Sequence, residues 1–191
     1  MNPRTSQIAY ILVRLLVGDK DCFLLRVHPK WGDWGLVGGH VEQNELNDWR
    51  LAAEREANEE LEPLRLSVDF ALEPLDGAPE SWGPVPSRSA GGTPTTYCAA
   101  WFTLAFLRDP ADCLAQLPDE DFLLVDRDAA LMAAGAEVTA LLARLERELP
   151  EGLSSVPLAW PSRLDKEAIG SKLRLNKPST QSQSAWFHVA K

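Results

Sequence analysis

The chain has 191 residues, of which 45% are hydrophobic and 25% are charged, and its formal net charge is −9. This composition is typical of one soluble globular domain, excludes a wholly disordered, collagenous or coiled-coil protein, and argues against broad binding to nucleic-acid backbones. No apolar run approaches the roughly 18 residues that a membrane-spanning helix needs, and the N-terminal residues lack the basic start of a signal peptide, so we expect a cytoplasmic protein without a membrane partner.

The first predicted elements in chain order are two strands joined by a turn. Residues 8–17 form a nearly continuous apolar run that is rich in β-branched residues at its start, which favours one buried strand. Residues 18–21 have the composition of a turn and residues 22–27 that of a second strand. We therefore predict a hairpin, followed by a loop over residues 31–35.

A helix and a strand are predicted next. Residues 46–61 contain neither Gly nor Pro and are rich in Ala, Leu, Glu and Arg, which predicts a helix that Pro63 helps to end. Residues 64–75 alternate between apolar and polar side chains, as a half-buried strand does. Residues 76–96 hold so many Gly and Pro residues that we expect a long irregular loop there, and such loops are usually functional or disordered.

The second half of the chain is predicted to add two strands and a helical region. Strand character returns at residues 97–107, and residues 122–125 form a short strand after a connecting segment at 111–121. Asp128 is placed to cap a helical region that extends to Leu149.

The composition changes after residue 150. Residues 151–191 hold six basic and three acidic residues, a local net charge of +3 on an acidic chain. We expect residues 1–149 to form one domain and residues 150–191 to form a basic, partly ordered C-terminal extension with a short helix at 162–170. A solvated tail, a docking arm and a flap over the acidic face remain alternatives for this extension.

The three cysteines are too few and too widely spaced for a disulfide framework or a zinc site. They are Cys22, Cys98 and Cys113. We expect them to be small buried hydrophobes in a reducing compartment.

Most of the negative charge lies in residues 39–62, where eight acidic and two basic residues give −6 of the total −9. On a helix that turns about 100° per residue, Glu56, Glu59 and Glu60 crowd an arc of roughly 100°. Such like charges repel one another, and a bound divalent cation would turn the repulsion into coordination. Carboxylate oxygens suit Mg²⁺, Mn²⁺ or Ca²⁺ better than zinc. The alternative is an ordinary solvated acidic face.

Two glycines, Gly38 and Gly39, precede this helix and let the backbone pass close to a ligand. Gly39, Glu45 and the run REANEE at residues 55–60 resemble the Nudix box, G-x5-E-x7-R-E-U-x-E-E-x-G-U, in which U is a bulky apolar residue. The run WGLVGGHVE at residues 34–42 resembles the segment that usually leads into that box.

Three features depart from the box. Nine residues rather than seven separate Glu45 from Arg55, which bears on the brace between loop and helix that the family builds from these two positions. Glu62 and Pro63 stand where the box has its second glycine and its final apolar residue, and the small Ala57 replaces a bulky residue. We expect the two extra residues to lengthen the loop before the helix. The spacing among the three glutamates is unchanged, so we expect the metal site to be retained.

The resemblance covers roughly residues 6–149 and implies an α/β fold, a Nudix-like α/β/α sandwich around a mixed β-sheet. It implies hydrolysis, dependent on Mg²⁺ or Mn²⁺, of the pyrophosphate bond in a nucleoside diphosphate linked to another moiety. The substrate is then a nucleotide-type small molecule, and a homodimer is left open. The alternative is a catalytically inactive Nudix-like module that binds a nucleotide or a protein.

The resemblance also implies roles for individual residues. Glu56, Glu59 and Glu60 are expected to be metal ligands and catalytic residues, with the backbone carbonyl of Gly39 as a further ligand. Arg55 is expected to brace the carboxylates rather than to contact substrate. The general base is left open between Glu56 and a second acidic segment formed by Asp119, Glu120 and Asp121, with Glu120 as its representative.

Aromatic and histidine side chains near the box are weaker candidates. Trp31, Trp34 and Tyr97 can stack on a base, but packing in the core or in a loop is the more frequent role of such residues. His28 and His40 are interpreted as loop residues rather than as catalysts.

Overall fold

The computed structural model describes residues 4–77, 79–133, 141–142, 145 and 153–156. These residues contain the strands β1 Arg4–Leu12, β2 Arg14–Val17, β3 Lys20–Val27, β4 Trp34–Gly35, β5 Val37–His40, β6 Phe70–Pro74, β7 Glu80–Pro86, β8 Pro94–Phe106, β9 Phe122–Asp126 and β10 Ser155–Val156. The helices are α1 Trp49–Glu60, α2 Pro110–Leu114 and α3 Arg127–Ala133. The helix predicted at 162–170 lies outside the described residues.

The strands form two mixed sheets. In the first sheet the order is β5-β1-β8-β6, with β7 also on β8, and only the β1–β8 pair is parallel. In the second sheet the order is β10-β2-β3-β4, with β9 also on β3, and only the β10–β2 pair is parallel. The short β10 strand falls within the predicted C-terminal extension.

Helices cover the sheets on two sides. Helix α1 packs on β1 and β5, and its alanines Ala52, Ala53 and Ala57 are fully buried in one hydrophobic core. Helix α3 packs on β3 and β9, and Ala130 lies in a second core with Leu141 and Leu142. The predicted α/β/α arrangement around mixed sheets is confirmed. Among the described residues no helix is long and apolar enough to cross a membrane.

The single strand predicted over residues 8–17 is wrong. The chain leaves β1 after Leu12 and enters the other sheet at Arg14, so the apolar run serves both sheets. Between them, the backbone oxygen of Val13 accepts a hydrogen bond from Leu24 N at 3.0 Å. Both halves of the run are buried, so hydrophobicity carried no sign of the break.

The strand predicted over residues 64–75 is confirmed only at its end, in β6. The preceding chain turns around the buried carboxylate of Asp69, which accepts hydrogen bonds from Arg65 N at 2.9 Å and Arg108 Nη1 at 2.6 Å. The irregular loop predicted over residues 76–96 is also wrong. Strand β7 lies within it as the hairpin partner of β8, at a sheet edge where Gly and Pro are tolerated.

Smaller corrections concern element ends. Helix α1 begins at Trp49 rather than at residue 46, because Asp48 caps it. The connecting segment at 111–121 contains most of α2, and the loop at 31–35 contains β4. Asp126 rather than Asp128 holds the start of α3, since its Oδ1 accepts a hydrogen bond from Ala129 N at 2.9 Å. Most of the helical region predicted to reach Leu149 lies outside the described residues.

Candidate active site

Helix α1 and strand β5 position the acidic cluster. The Asp48 side chain accepts a hydrogen bond from Arg50 N at 3.1 Å and so fixes the start of the helix. Ala53 and Ala57 pack into the core. The glutamates of the REANEE run therefore lie beside that buried stripe, where the helix meets the glycines of β5.

Glu60 is held on the backbone of β5. Its Oε2 accepts a hydrogen bond from Gly38 N at 2.9 Å, and its Oε1 accepts one from Arg26 Nη1 at 2.5 Å. Burial raises the pKa of Glu60, although the Gly38 hydrogen bond and the charge of Arg26 oppose that rise. The ionised carboxylate is thus paired but still less favourable than it would be in water.

Glu56 lies against Gly39. A Cβ atom on Gly39 would be 2.4 Å from Glu56 Oε1, so the absence of a side chain there makes room for the carboxylate. Glu56 Oε1 accepts a hydrogen bond from Arg55 Nη1 at 2.7 Å. Burial raises the pKa of Glu56, and the neighbouring Glu59 adds to the rise.

Glu59 is the open member of the group. Its side chain is 60% exposed, and its Oε2 lies 3.7 Å from Arg55 Nη1. The three glutamates therefore share one side of the helix, as predicted, with Glu56 and Glu60 mostly buried and Glu59 facing solvent.

Arg55 joins the loop to the helix in spite of the longer spacing. Its Nε and Nη2 donate to Glu45 Oε1 and Oε2 at 2.9 and 3.1 Å, and Nη2 also donates to His40 O at 2.9 Å. Glu45 Oε2 accepts a further hydrogen bond from Glu42 N at 2.8 Å. The brace between Glu45 and Arg55 is formed, and helix α1 continues without interruption past Arg55 to Glu60.

The donor set fits a hard divalent cation, since it consists of carboxylate oxygens beside a backbone cradle that a Cβ would fill. Among the described residues, no three His, Cys, Asp or Glu side chains are close enough together to hold a metal ion as they stand. Arg26 and Arg55 neutralise Glu60 and Glu56 there instead. The Gly39 carbonyl belongs to β5, where Gly39 pairs with Ala9 of β1.

Arg26 is a site residue that the sequence interpretation missed. It lies on β3 on the same face as Cys22 and Leu24, which belong to the core that packs on α1. A charged side chain on a buried strand face needs a buried partner of opposite charge. A charged residue at an inward-facing position of a buried strand was therefore the sign in the sequence that Arg26 belongs to the site. Its partner in the structure is Glu60.

Glu120 lies at the same end of the β3–β9 pair as Arg26. It is exposed in the turn before β9, and the register of β9 places Phe122 opposite Arg26. The backbone oxygen of the adjacent Asp121 accepts from Val27 N at 2.8 Å. The turn is thus tied to the strand that carries Arg26.

The aromatic candidates all contact protein groups. Trp34 is buried in the second core, and Tyr97 stacks on Trp82 with ring centroids 5.7 Å apart. Trp31 stacks on His28 at 5.4 Å. His40 ends β5, and burial and then the charge of Arg4 lower its pKa.

A family model described as the NUDIX domain matches residues 5–137 of this chain. No curated protein sequence matches the chain. Among solved structures, the Ap4A hydrolase of C. elegans is 22% identical with a TM-score of 0.52, over 73% of this chain and 94% of that one.

Two further structures have the same similarity in fold. A binary complex of C. elegans Ap4A hydrolase is 23% identical with a TM-score of 0.50, over 73% of this chain and 93% of that one. NrtR of Shewanella oneidensis, complexed with a 27mer DNA, is 19% identical with a TM-score of 0.50, over 72% of this chain and 59% of that one. At such identities the likeness shows a shared fold.

Proposed function

This chain belongs to the NUDIX family and is a Nudix-type hydrolase, and from that premise we propose that it hydrolyses the pyrophosphate bond of a nucleoside diphosphate linked to another moiety. We further propose that Mg²⁺ or Mn²⁺ is its cofactor, held by Glu56, Glu59 and Glu60 with the backbone oxygen of Gly39. The names of the C. elegans neighbours agree with a substrate of this class.

One observation carries the proposal: two mostly buried carboxylates of the box helix meet the glycines of β5. Glu60 accepts the Gly38 N–H at 2.9 Å, and Glu56 fills the space that a Gly39 side chain would occupy. Burial raises the pKa of both carboxyls, so their ionised forms are costly in the free protein. Groups kept in such a costly state are frequent at functional sites.

Each residue contributes a separate part of the chemistry. A bound divalent cation supplies neutralisation of the pyrophosphate charge and a lower pKa for an attacking water. Glu45 and Arg55 keep the loop and the helix in register, so that the backbone of Gly39 and the side chain of Glu56 stay adjacent. Arg26 holds Glu60 Oε1 from the side of the second sheet.

The proton acceptor is assigned to one of two carboxylates. Glu56 is mostly buried, and its raised pKa suits a group that takes up a proton. Glu120 is exposed on the turn before β9, at the end of the β3–β9 pair where Arg26 lies, and that position makes it the second candidate. Replacement of Glu120 by Gln separates the two, because only a base on that turn makes the variant inactive.

The test is a hydrolysis assay with Mg²⁺ on nucleoside triphosphates, dinucleoside polyphosphates, ADP-ribose and nucleotide sugars. For a substrate that is cleaved, Glu60→Gln keeps the size of the side chain but removes a charge that holds the cation. We expect its kcat/KM to fall by about 100-fold or more. The matched control is Glu62→Gln, which makes the same change in an exposed residue after the end of α1 and should leave kcat/KM within about twofold.

Three outcomes would contradict the proposal. Equal losses in Glu60→Gln and Glu62→Gln would remove the special role of the buried carboxylate. Full activity in EDTA would show that the reaction does not need a divalent cation. Binding of a panel substrate that depends on Mg²⁺, without cleavage of any of them, would replace the hydrolase with a Nudix-like binding module.

A further inference from the structure

Arg26 and Glu60 form an ion pair that joins the second sheet to the box helix. Arg26 Nη1 donates to Glu60 Oε1 at 2.5 Å, and the two side chains are 22% and 19% exposed. The other oxygen of this carboxylate accepts the Gly38 N–H at 2.9 Å. Both oxygens of Glu60 therefore already have a donor from the protein, and one of these donors carries a full positive charge.

A divalent cation at Glu60 competes with that charge. A hard cation binds carboxylate oxygens directly, at about 2.0–2.6 Å, which brings it close to the guanidinium of Arg26. Like charges at such a separation repel one another strongly in a partly buried site. As the described residues stand, Glu56, Glu59 and Glu60 are not close enough together to hold a metal ion. Binding of the cation therefore requires side chains of the site to move.

The two arginines of the site differ in what holds them. Arg55 donates to both carboxylate oxygens of Glu45 and to His40 O, so it stays on the loop without its contact to the helix carboxylate. Arg26 has no such second anchor, since Glu60 is its only carboxylate within 4.0 Å among the described residues. The Arg26 side chain is partly open to water, which can solvate the guanidinium once it leaves Glu60. Arg26 is therefore the arginine that can be exchanged.

We propose that Arg26 is an exchangeable counter-ion of the metal site, which neutralises Glu60 in the metal-free protein and leaves that carboxylate when Mg²⁺ or Mn²⁺ binds. The inference rests on the proposed function for the position of the cation, but it involves neither substrate nor turnover. Arg26 spares the free protein an uncompensated, mostly buried charge on Glu60. It also lowers the affinity for the cation, because the ion pair must be broken first. Arg26 is a positioning residue, since it acts through Glu60.

The first test measures Mn²⁺ binding to the full chain without substrate, from the electron paramagnetic resonance signal of the free ion. Arg26→Gln removes the charge that competes for Glu60, and we expect its Kd for Mn²⁺ to be about tenfold lower than that of the wild-type protein. Arg26→Lys keeps the charge, and because the pair is formed through one nitrogen its Kd should stay within about threefold of wild type. Lys20→Gln, at the exposed start of the same strand, is the control for net charge and should change Kd by less than about twofold.

Melting temperatures give a second readout. In EDTA, Arg26→Gln should melt below the wild-type protein, because Glu60 then lacks its charged partner. Saturating Mg²⁺ should close that difference, because the cation replaces the missing charge in both proteins. If Arg26 only stabilises the fold, the difference in Tm stays the same with and without the metal.

A third measurement follows the arginines of the wild-type protein directly. Rotation of a guanidinium group is slowed while it is held in an ion pair, and ¹⁵N NMR of the arginine side chains detects this. The Arg26 signal is assigned by its absence in Arg26→Lys. On addition of Mg²⁺ we expect the Arg26 guanidinium to rotate freely, whereas that of Arg55 stays hindered.

The failure of this inference differs from the failure of the proposed function. Unchanged or weaker Mn²⁺ binding in Arg26→Gln, an equal gain in Lys20→Gln, or an Arg26 guanidinium that stays hindered in Mg²⁺ would overturn the exchange and leave the metal site in place. If the wild-type protein binds no Mn²⁺, or if Glu60→Gln does not weaken the binding, the metal site itself is wrong and the exchange fails with it.

Discussion

The contact between Glu45 and Arg55 holds the lengthened loop on helix α1, and its contribution to stability can be measured. Glu45 has a side chain that is 5% exposed and accepts hydrogen bonds from Arg55 Nε, Arg55 Nη2 and Glu42 N. Glu45→Gln keeps the size of the side chain but leaves one acceptor oxygen and adds an NH₂ group. At least one of the three donors then loses its partner.

The expected loss follows from the exposure of the two side chains. A hydrogen bond to a charged group contributes about 1.5–3 kcal/mol, and the Arg55 side chain is 25% exposed, so that water replaces part of the lost partner. We expect Glu45→Gln to lower the free energy of unfolding by about 2 kcal/mol. For a chain of this size that lowers Tm by roughly 4–8 °C, measured by circular dichroism at neutral pH in EDTA.

Glu54→Gln is the matched control on the same helix, because Glu54 forms an exposed i,i+4 pair with Arg50 at 2.8 Å. Such pairs contribute little, and Tm should change by no more than about 1 °C. The hydrogen bond from Arg55 lowers the pKa of Glu45, so its contribution is present above the usual carboxyl pKa and is lost as pH falls through the lowered value. The difference in Tm between the wild-type protein and Glu45→Gln should therefore become smaller in acid. Equal shifts in the two variants, or a gap that widens in acid, would refute the reasoning.

Two further predictions concern Gly39 and the cation. Gly39→Ala places a Cβ 2.4 Å from Glu56 Oε1, which is at the movable end of a side chain. The Glu56 carboxylate must therefore move, so Tm should change little while the rate of hydrolysis falls by about 100-fold. A Gly39→Ala variant with full activity would contradict the role of Glu56. Because burial raises the pKa of Glu56 and Glu60, their contribution to stability is present below the usual carboxyl pKa and is lost as pH rises through the raised values. Tm in EDTA should therefore decline from mildly acidic to neutral pH. Millimolar Mg²⁺ or Mn²⁺ should restore Tm by binding the ionised carboxylates. If neither metal changes Tm at any pH, the proposed metal site is wrong.

The parts of the fold that could be predicted are those whose pattern has a single explanation. Helix α1 follows from a run without Gly or Pro that is rich in good helix formers, and the β2–β3 hairpin follows from a turn between two apolar runs. The break at Val13 and the strand β7 could not be predicted. The first lies inside a run that is buried on both sides. The second is an edge strand that contains Gly and Pro, and its position is set by its pairing with β8, which is distant information that the local sequence does not carry.

The candidate site divides in the same way. The arc of Glu56, Glu59 and Glu60 is a property of helical spacing, so it could be derived from the sequence alone. The partners of these residues are not local: Arg26 reaches Glu60 across 34 positions, and Arg55 reaches Glu45 across 10. Only the folded sheet shows that the extra loop residues leave that brace intact.

The proposed substrate is a polyanion, and the arginines of the site bear on how an acidic protein could take it up. Arg26 and Arg55 pair with the carboxylates of the site, and their charges offset a field that would repel phosphate groups. Neither is free to attract substrate while those pairs persist. On the proposed function, a divalent cation held by the carboxylates would therefore have to supply the positive charge that a pyrophosphate group requires.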